Sequence, residues 1–169
     1  MRTRLAGLFA ILALPILLGG ISFKAEAQNA DATVETSRFN DWILRCVKTE
    51  TVSCRLSQQG YMEQNGKKVK VLTITADPER LRVGTPLGFD LTKGMMLRAG
   101  NFERVVAYRV CTKTGCAGGT PLDEELVRAF RKAENAEIIL TSLEEKTVTM
   151  TVSLSGFTNA HREMMTAHQ

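Results

Sequence analysis

The stretch DWILRCVKTETVSCRLSQ, residues 41–58, carries two alternating apolar series, Trp42, Leu44, Cys46 and Val52, Cys54, Leu56, on either side of Glu50. Strict alternation is the mark of a half-buried β-strand, because successive side chains point to opposite faces. Folded as an antiparallel hairpin about Glu50, the two series set Cys46 opposite Cys54 and Leu44 opposite Leu56, with both apolar faces on one side. The register that joins the cysteines is therefore the register that joins the leucines. Agreement between independent demands of this kind is what a sequence specifying one fold should show.

The remaining cysteines, Cys111 and Cys116, enclose Thr112 to Gly115, where the glycine lets the chain turn sharply. Neither spacing is the C-x-x-C of a thiol redox pair or a zinc knuckle. Four cysteines allow three pairings. The hairpin register and the ease of closing short loops favour Cys46 with Cys54 and Cys111 with Cys116, as two structural disulfides of an oxidising compartment.

That compartment is read from the N-terminus. Arg2 and Arg4 precede an apolar run from Leu5 to Ile21, and Ala25-Glu26-Ala27 then fits the A-x-A cleavage rule, so residues 1–27 are expected to be a secretion signal and Gln28 the mature start. A retained membrane anchor is the alternative. The run is at the short limit for a spanning helix and carries Gly7, Pro15 and Gly19-Gly20 within it. No lipobox cysteine follows, and no later stretch approaches membrane length. Removing the signal leaves 19 basic against 17 acidic residues, so strong nucleic-acid binding is not implied. The remaining 142 residues suit one domain.

Along that domain, residues 28–36 are polar and without period, which predicts a flexible N-terminal arm ahead of a single β-rich domain at 37–169. Lys67 to Thr75 reads as a strand of mixed parity, with Val69 and Val71 on one face and Leu72 and Ile74 on the other, through either a bulge or two-sided burial. Leu81-Arg82-Val83 leads into Gly84-Thr85-Pro86-Leu87-Gly88, punctuated for turns or a sheet edge rather than a central strand. Met95 to Arg98 and Arg104 to Cys111 follow as strands around Gly100-Asn101. Cys116 to Thr120, with Gly118 and Gly119, lacks any phosphate-loop pattern and reads as a flexible bridge loop. Pro121 and Asp123 open a short helix through Leu126, Val127 and Phe130, with Arg131 and Lys132 at its far end. Ile138-Ile139-Leu140 and Val148-Met150-Val152-Leu154 form a second clear strand pair around Glu144-Glu145-Lys146. Ser155-Gly156-Phe157 ends it, and Thr158 to Met165 suggests a terminal helical turn. The expected class is mostly β: one antiparallel β-sandwich-like domain with one short helix and two local disulfides.

Five ordered signposts, Asp41-Trp42-x3-Cys46, Cys54-Arg55-Leu56-x-Gln58, Pro86-Leu87-Gly88, Cys111-x3-Gly115-Cys116 and Leu154-Ser155-Gly156-Phe157-x2-Ala160, resemble the invasion-associated locus B family of bacterial envelope proteins. The resemblance spans nearly all of the mature chain. It implies a small β-rich periplasmic or secreted domain and, in some pathogens, a part in entering host cells. It carries over no catalytic residue.

An enzyme would need a positioned base or nucleophile, but the two histidines, His161 and His168, both fall in the last nine residues, and H-E-x-x-H is absent. Glu124-Glu125 and Glu144-Glu145 read as a helix start and a charged turn. The sequence therefore predicts neither catalytic residues, cofactor nor metal. Lys67, Lys68 and Lys70, with Arg80, Arg82, Arg98, Arg104 and Arg109, are instead the material for a basic face toward an acidic protein or an anionic envelope component. Within that set Lys68, Lys70, Arg98, Arg104 and Arg109 are the candidate binding residues, the alternative being scattered solubilising charge. The functional expectation is a non-enzymatic exported protein that mediates protein or cell-surface interaction. A periplasmic hydrolase or small-ligand carrier is the alternative.

Overall fold

A computed structural model of the chain describes residues 32–64 and 66–168. The expected secretion signal, and residues 28–31 of the expected arm, lie outside the described residues. In chain order the elements are β1 (Thr33–Phe39), β2 (Trp42–Lys48), β3 (Val52–Gln64), β4 (Lys67–Ala76), β5 (Arg80–Thr85), β6 (Met95–Ala99), β7 (Phe102–Val106), β8 (Tyr108–Thr112), β9 (Gly115–Pro121), α1 (Glu124–Lys132), β10 (Asn135–Thr141), β11 (Thr147–Ser153) and α2 (Phe157–Ala167). The strands form two antiparallel sheets, a seven-stranded one in the order β1-β2-β3-β4-β5-β9-β8 and a four-stranded one in the order β11-β10-β6-β7.

The founding hairpin has the register its sequence demands: Cys46 pairs with Cys54 and Leu44 with Leu56. Both disulfides form as expected, Cys46 with Cys54 and Cys111 with Cys116, and each joins residues directly opposite across a hairpin. The inward series of the two sheets meet in one apolar core, with Trp42, Leu56, Ile74 and Leu81 from the larger sheet and Leu97, Ile138 and Leu140 from the smaller. Each such side chain contributes about 1.5–3 kcal/mol by leaving water. Helix α1 starts as the sequence indicates, on Asp123, whose carboxylate accepts from the Leu126 amide at 3.0 Å. Among the described residues, no helix is long and apolar enough to cross a membrane.

The mixed parity of β4 is a bulge. Gly60 pairs with Leu72 but Tyr61 with Lys70, so Val71 is the extra residue and the inward series shifts by one place there. Five expectations need correction. The arm ends earlier than Thr36, because β1 begins at Thr33 and pairs along its whole length with β2; an exposed edge strand needs no apolar period, so its sequence does not announce it. Gly84 and Thr85 belong to β5, an interior strand between β4 and β9, and Pro86 falls just past its end. Arg104 to Cys111 is not one strand, for the chain leaves the smaller sheet after Val106 and enters the larger one at Tyr108.

The fourth correction concerns residues 116–120, which form β9, paired on both sides, rather than a loose loop. Its glycines answer to crowding. A Cβ on Gly118 would collide with the Ala107 carbonyl oxygen at the crossing between sheets, and one on Gly115 with the Thr85 carbonyl oxygen. The C-terminal turn is likewise longer than its sequence suggests: α2 runs for 11 residues and buries Phe157, Ala160, His161 and Met164, the i, i+3, i+4, i+7 stripe of an amphipathic helix. Its N-cap is Gly156, which supplies no capping side chain to be read.

Candidate functional site

The residues that stand out in the sequence converge on a joint between the first strands and the last helix. Asn40, with φ of 50°, and Asp41 make the two-residue turn from β1 to β2. Asn40 Nδ2 donates to Ser155 Oγ at 2.9 Å, and both Trp42 Nε1 and Gln58 Nε2 donate to the Ser153 carbonyl oxygen, at 3.2 and 3.1 Å. The Phe157 ring packs edge-on against Trp42 and Phe130, with centroids 5.3 and 5.1 Å away. Gly156 has φ of 90°, and a Cβ there would strike the Phe39 carbonyl oxygen. These residues hold the fold together, and their polar atoms are engaged with one another.

The histidines lie on α2. His161 is buried, its ring 5.5 Å from that of Phe157 and its Nδ1 3.4 Å from Arg131 Nη2. Burial, and secondarily the Arg131 charge, hold its pKa below the ordinary 6.5. His168 is the exposed C-cap of the same helix. Glu124 and Glu125 occupy the first turn of α1, and Glu145 sits in the β10–β11 turn with φ of 60°. Among the described residues, no three His, Cys, Asp or Glu side chains gather as a metal site would require.

The five candidate cations are divided between the sheets. Arg98, on β6, pairs with Glu103 at 2.6 Å and Glu137 at 3.2 Å, and its pKa is raised first by the hydrogen bond to Glu103. Arg104, on β7, reaches Asp123 at 2.9 Å and Glu125 at 3.3 Å, bonds Thr120 Oγ1, and lies over the Phe102 ring. Both are occupied in tying strands and the α1 start together. Lys68 and Lys70 are on β4 and Arg109 on β8, in the larger sheet; Lys70 and Arg109 are exposed.

It is the outer face of that larger sheet which gathers charge. Since Leu44 and Cys46, Cys54 and Leu56, and Leu81 and Val83 point to the core, alternation turns Arg45, Arg55, Arg80 and Arg82 outward. Arg45 stands directly opposite Arg55 in the hairpin register. Arg38, paired with Ile43, shares their face. Asp77 forms an ion pair with Arg82; burial pushes its carboxyl up, but the Arg82 hydrogen bond and the Glu79 and Arg80 amides outweigh this and leave its pKa lowered. Among the described residues, none of Arg38, Arg45, Arg55, Lys70, Arg80 or Arg109 takes part in an ion pair. Sequence reasoning missed Arg45 and Arg55. The signal was present in the same alternation that identified the hairpin, as the residues between the apolar ones.

Two surface depressions lie along β9 on this face. One, of about 320 Å³, is lined by Arg80, Arg82, Arg109 and the Ala117–Gly119 backbone. The other, of about 230 Å³, has Lys70, Thr73, Thr112 and Thr114 on its walls. They share Val110 and Ala117.

A family model described as invasion associated locus B protein matches residues 42–165. The crystal structure of invasion associated protein B from Bartonella henselae aligns with a TM-score of 0.70 at 20% identity, over 78% of this chain and 95% of that one, a likeness of fold. No curated protein matches the chain significantly.

Proposed function

The chain belongs to the invasion associated locus B family, and from that premise we propose that it is an exported envelope protein that acts by binding rather than catalysis, through the outer face of its seven-stranded sheet. The observation that carries this reading is the unbalanced charge of that face, where Arg45 and Arg55 are directly opposed and Arg80 and Arg109 lie on the same side, beside an Arg82 that Asp77 already neutralises. Like charges directly opposite on a sheet are destabilising. A surface that keeps them is suited to an anionic partner whose arrival neutralises them, and long-range attraction would speed the encounter. Two disulfides are the cysteine state that an oxidising compartment sustains. Cleavage after Ala27 and delivery to the periplasm, or beyond it to the cell surface, complete the proposal. The association with invasion named in the family's description enters this chain's role as a step of surface contact.

The test is retention on an immobilised polyanion, dextran sulfate, as salt is raised. Replacing Arg45, Arg55, Arg80 and Arg109 together by Gln should abolish retention and flatten its salt dependence. Replacing Arg98 and Arg104, which are already paired, should change retention little. Equal loss from both sets would mean that net charge, not this face, governs binding.

A further inference from the structure

The two depressions on the basic face are parts of one trough whose floor is β9. Outward positions on that strand are Ala117 and Gly119, so the floor is nearly bare backbone between walls of full-length side chains. One wall rises from β5, with Arg80 and Arg82 two residues apart and therefore on the same side; the other rises from β8, with Arg109 and Val110. With strands about 4.8 Å apart, the walls stand roughly 10 Å from each other. From Gly115 to Gly119 the floor extends roughly 13 Å at about 3.3 Å per residue. Its character changes along this length: guanidinium groups dominate one end, while Lys70 and the hydroxyls of Thr73, Thr112 and Thr114 are found at the other.

We propose that this trough is a binding site for an anionic glycan chain, a polyol carrying carboxylate, sulfate or phosphate groups. The proposal deepens the reading of the basic face and rests on it. Guanidinium forks suit planar or tetrahedral anions through paired, charge-assisted hydrogen bonds. The threonine hydroxyls both donate and accept, as ring hydroxyls require. The floor argues against the alternative occupant, an extended acidic peptide. Peptides laid on a sheet gain affinity by adding a strand at an open edge, but β9 is already paired with β5 on one side and β8 on the other. What the trough offers is side-chain recognition above a closed ladder, and bare backbone there lets a sugar ring settle between the walls.

Calorimetric titration of the protein with a heparin oligosaccharide tests this, with poly-glutamate as the peptide arm and neutral dextran as the uncharged one. Heparin oligosaccharide should bind, and neutral dextran should not. The Arg80→Gln/Arg109→Gln double variant should bind about tenfold more weakly, two charge-assisted contacts being lost. Val110→Trp, which narrows the trough from an exposed position without altering charge, should weaken binding to a similar degree; Ala117→Trp, filling the floor, should do so more. Circular dichroism of each variant confirms folding, and exposed Val110 keeps the steric arm available if Ala117→Trp does not fold. Undiminished heparin binding by both the double variant and Val110→Trp overturns the trough. If Arg45→Gln/Arg55→Gln alone then removes binding, the basic face stands without it. Binding of poly-glutamate in preference to heparin overturns the glycan assignment, and failure of every polyanion to bind overturns both the trough and the face.

Discussion

Trp42 and Gln58, on neighbouring strands, donate to a single acceptor, the Ser153 carbonyl oxygen at the end of β11. The pair thereby clamps the larger sheet to the last strand of the smaller one, and Gln58 adds a bond to the Asp41 carbonyl oxygen. Gln58→Ala should cost about 1 kcal/mol in urea unfolding, and Trp42→Ala about 3–5 kcal/mol because a fully buried ring is removed as well. Since either donor alone still satisfies the shared carbonyl and only the double variant leaves it without a side-chain donor, the double variant should lose more than the sum. Simple additivity would mean that the shared carbonyl does not couple them.

The glycine at the same joint should be less replaceable than a glycine of positive φ whose Cβ would meet open space. Gly156→Ala combines a left-handed backbone with a collision against Phe39, so we expect severe loss of soluble, folded protein. Gly100→Ala, also at positive φ but with nothing near its Cβ, should cost only about 1 kcal/mol. Comparable melting temperatures for the two would show that the collision is relieved by a shift of the turn.

These two cases mark what the sequence could and could not declare. Where large apolar residues mark the buried face and turn or cap residues bound it, the element is visible, and so the β2–β3 hairpin is legible with its register, β10 and β11 as a strand pair, and α1 with its cap. Three kinds of element are not. β1 is a two-sided polar edge held by its backbone; β9 is disguised by glycines whose reason is a carbonyl brought close from a distant part of the chain; and α2 starts on a glycine instead of a capping side chain. The candidate site was half visible for a related reason. A list of cations cannot tell Arg98 and Arg104, which the fold supplies with carboxylates, from Arg45 and Arg55, which it leaves facing one another. For Arg98 and Arg104 the distinction rests on Glu137, Asp123 and Glu125, which the fold brings from more distant parts of the chain, whereas the opposition of Arg45 and Arg55 was already contained in the hairpin register.

Function and stability should part company at the opposed arginines. Arg55→Thr relieves a like-charge pair and introduces a good strand former, so thermal stability should rise, by up to about 0.5 kcal/mol. Retention on the polyanion should fall in the same variant. A change of both in one direction would indicate that Arg55 is structural.

The buried histidine predicts a pH limb. Because its folded pKa lies below 6.5, the unfolded chain binds the proton more tightly, so His161's contribution is complete above about pH 6.5 and is lost as pH falls through the folded value. His161→Gln should remove that part of the stability profile while leaving polyanion retention at neutral pH unchanged. Loss of retention in folded His161→Gln would bring the α1–α2 seam into the functional site.

The two disulfides should differ in reactivity. Cys46 and Cys54 are both buried, whereas Cys111 is exposed on the edge strand β8. A thiolate reaches an exposed sulfur more readily, so mild reductant followed by alkylation and peptide mapping should label Cys111 and Cys116 first. Replacing Cys46 and Cys54 by Ala should cost about 2–3 kcal/mol, the gain expected of a short closed loop. Earlier labelling of Cys46 would show that the founding hairpin opens before the edge does.

The contact of α2 with the opening hairpins also sets a timetable. A chain emerging from the ribosome, or threaded through a narrow passage with its N-terminus leading, can build the β1–β5 meander early, because each strand pairs with its immediate successor. Trp42 remains uncovered until Phe157 arrives, and the turn at Asn40 has nothing to lock against until Gly156 follows it. Completion of this domain therefore waits for α2, and until that helix is made the first hairpins stand paired but unlocked.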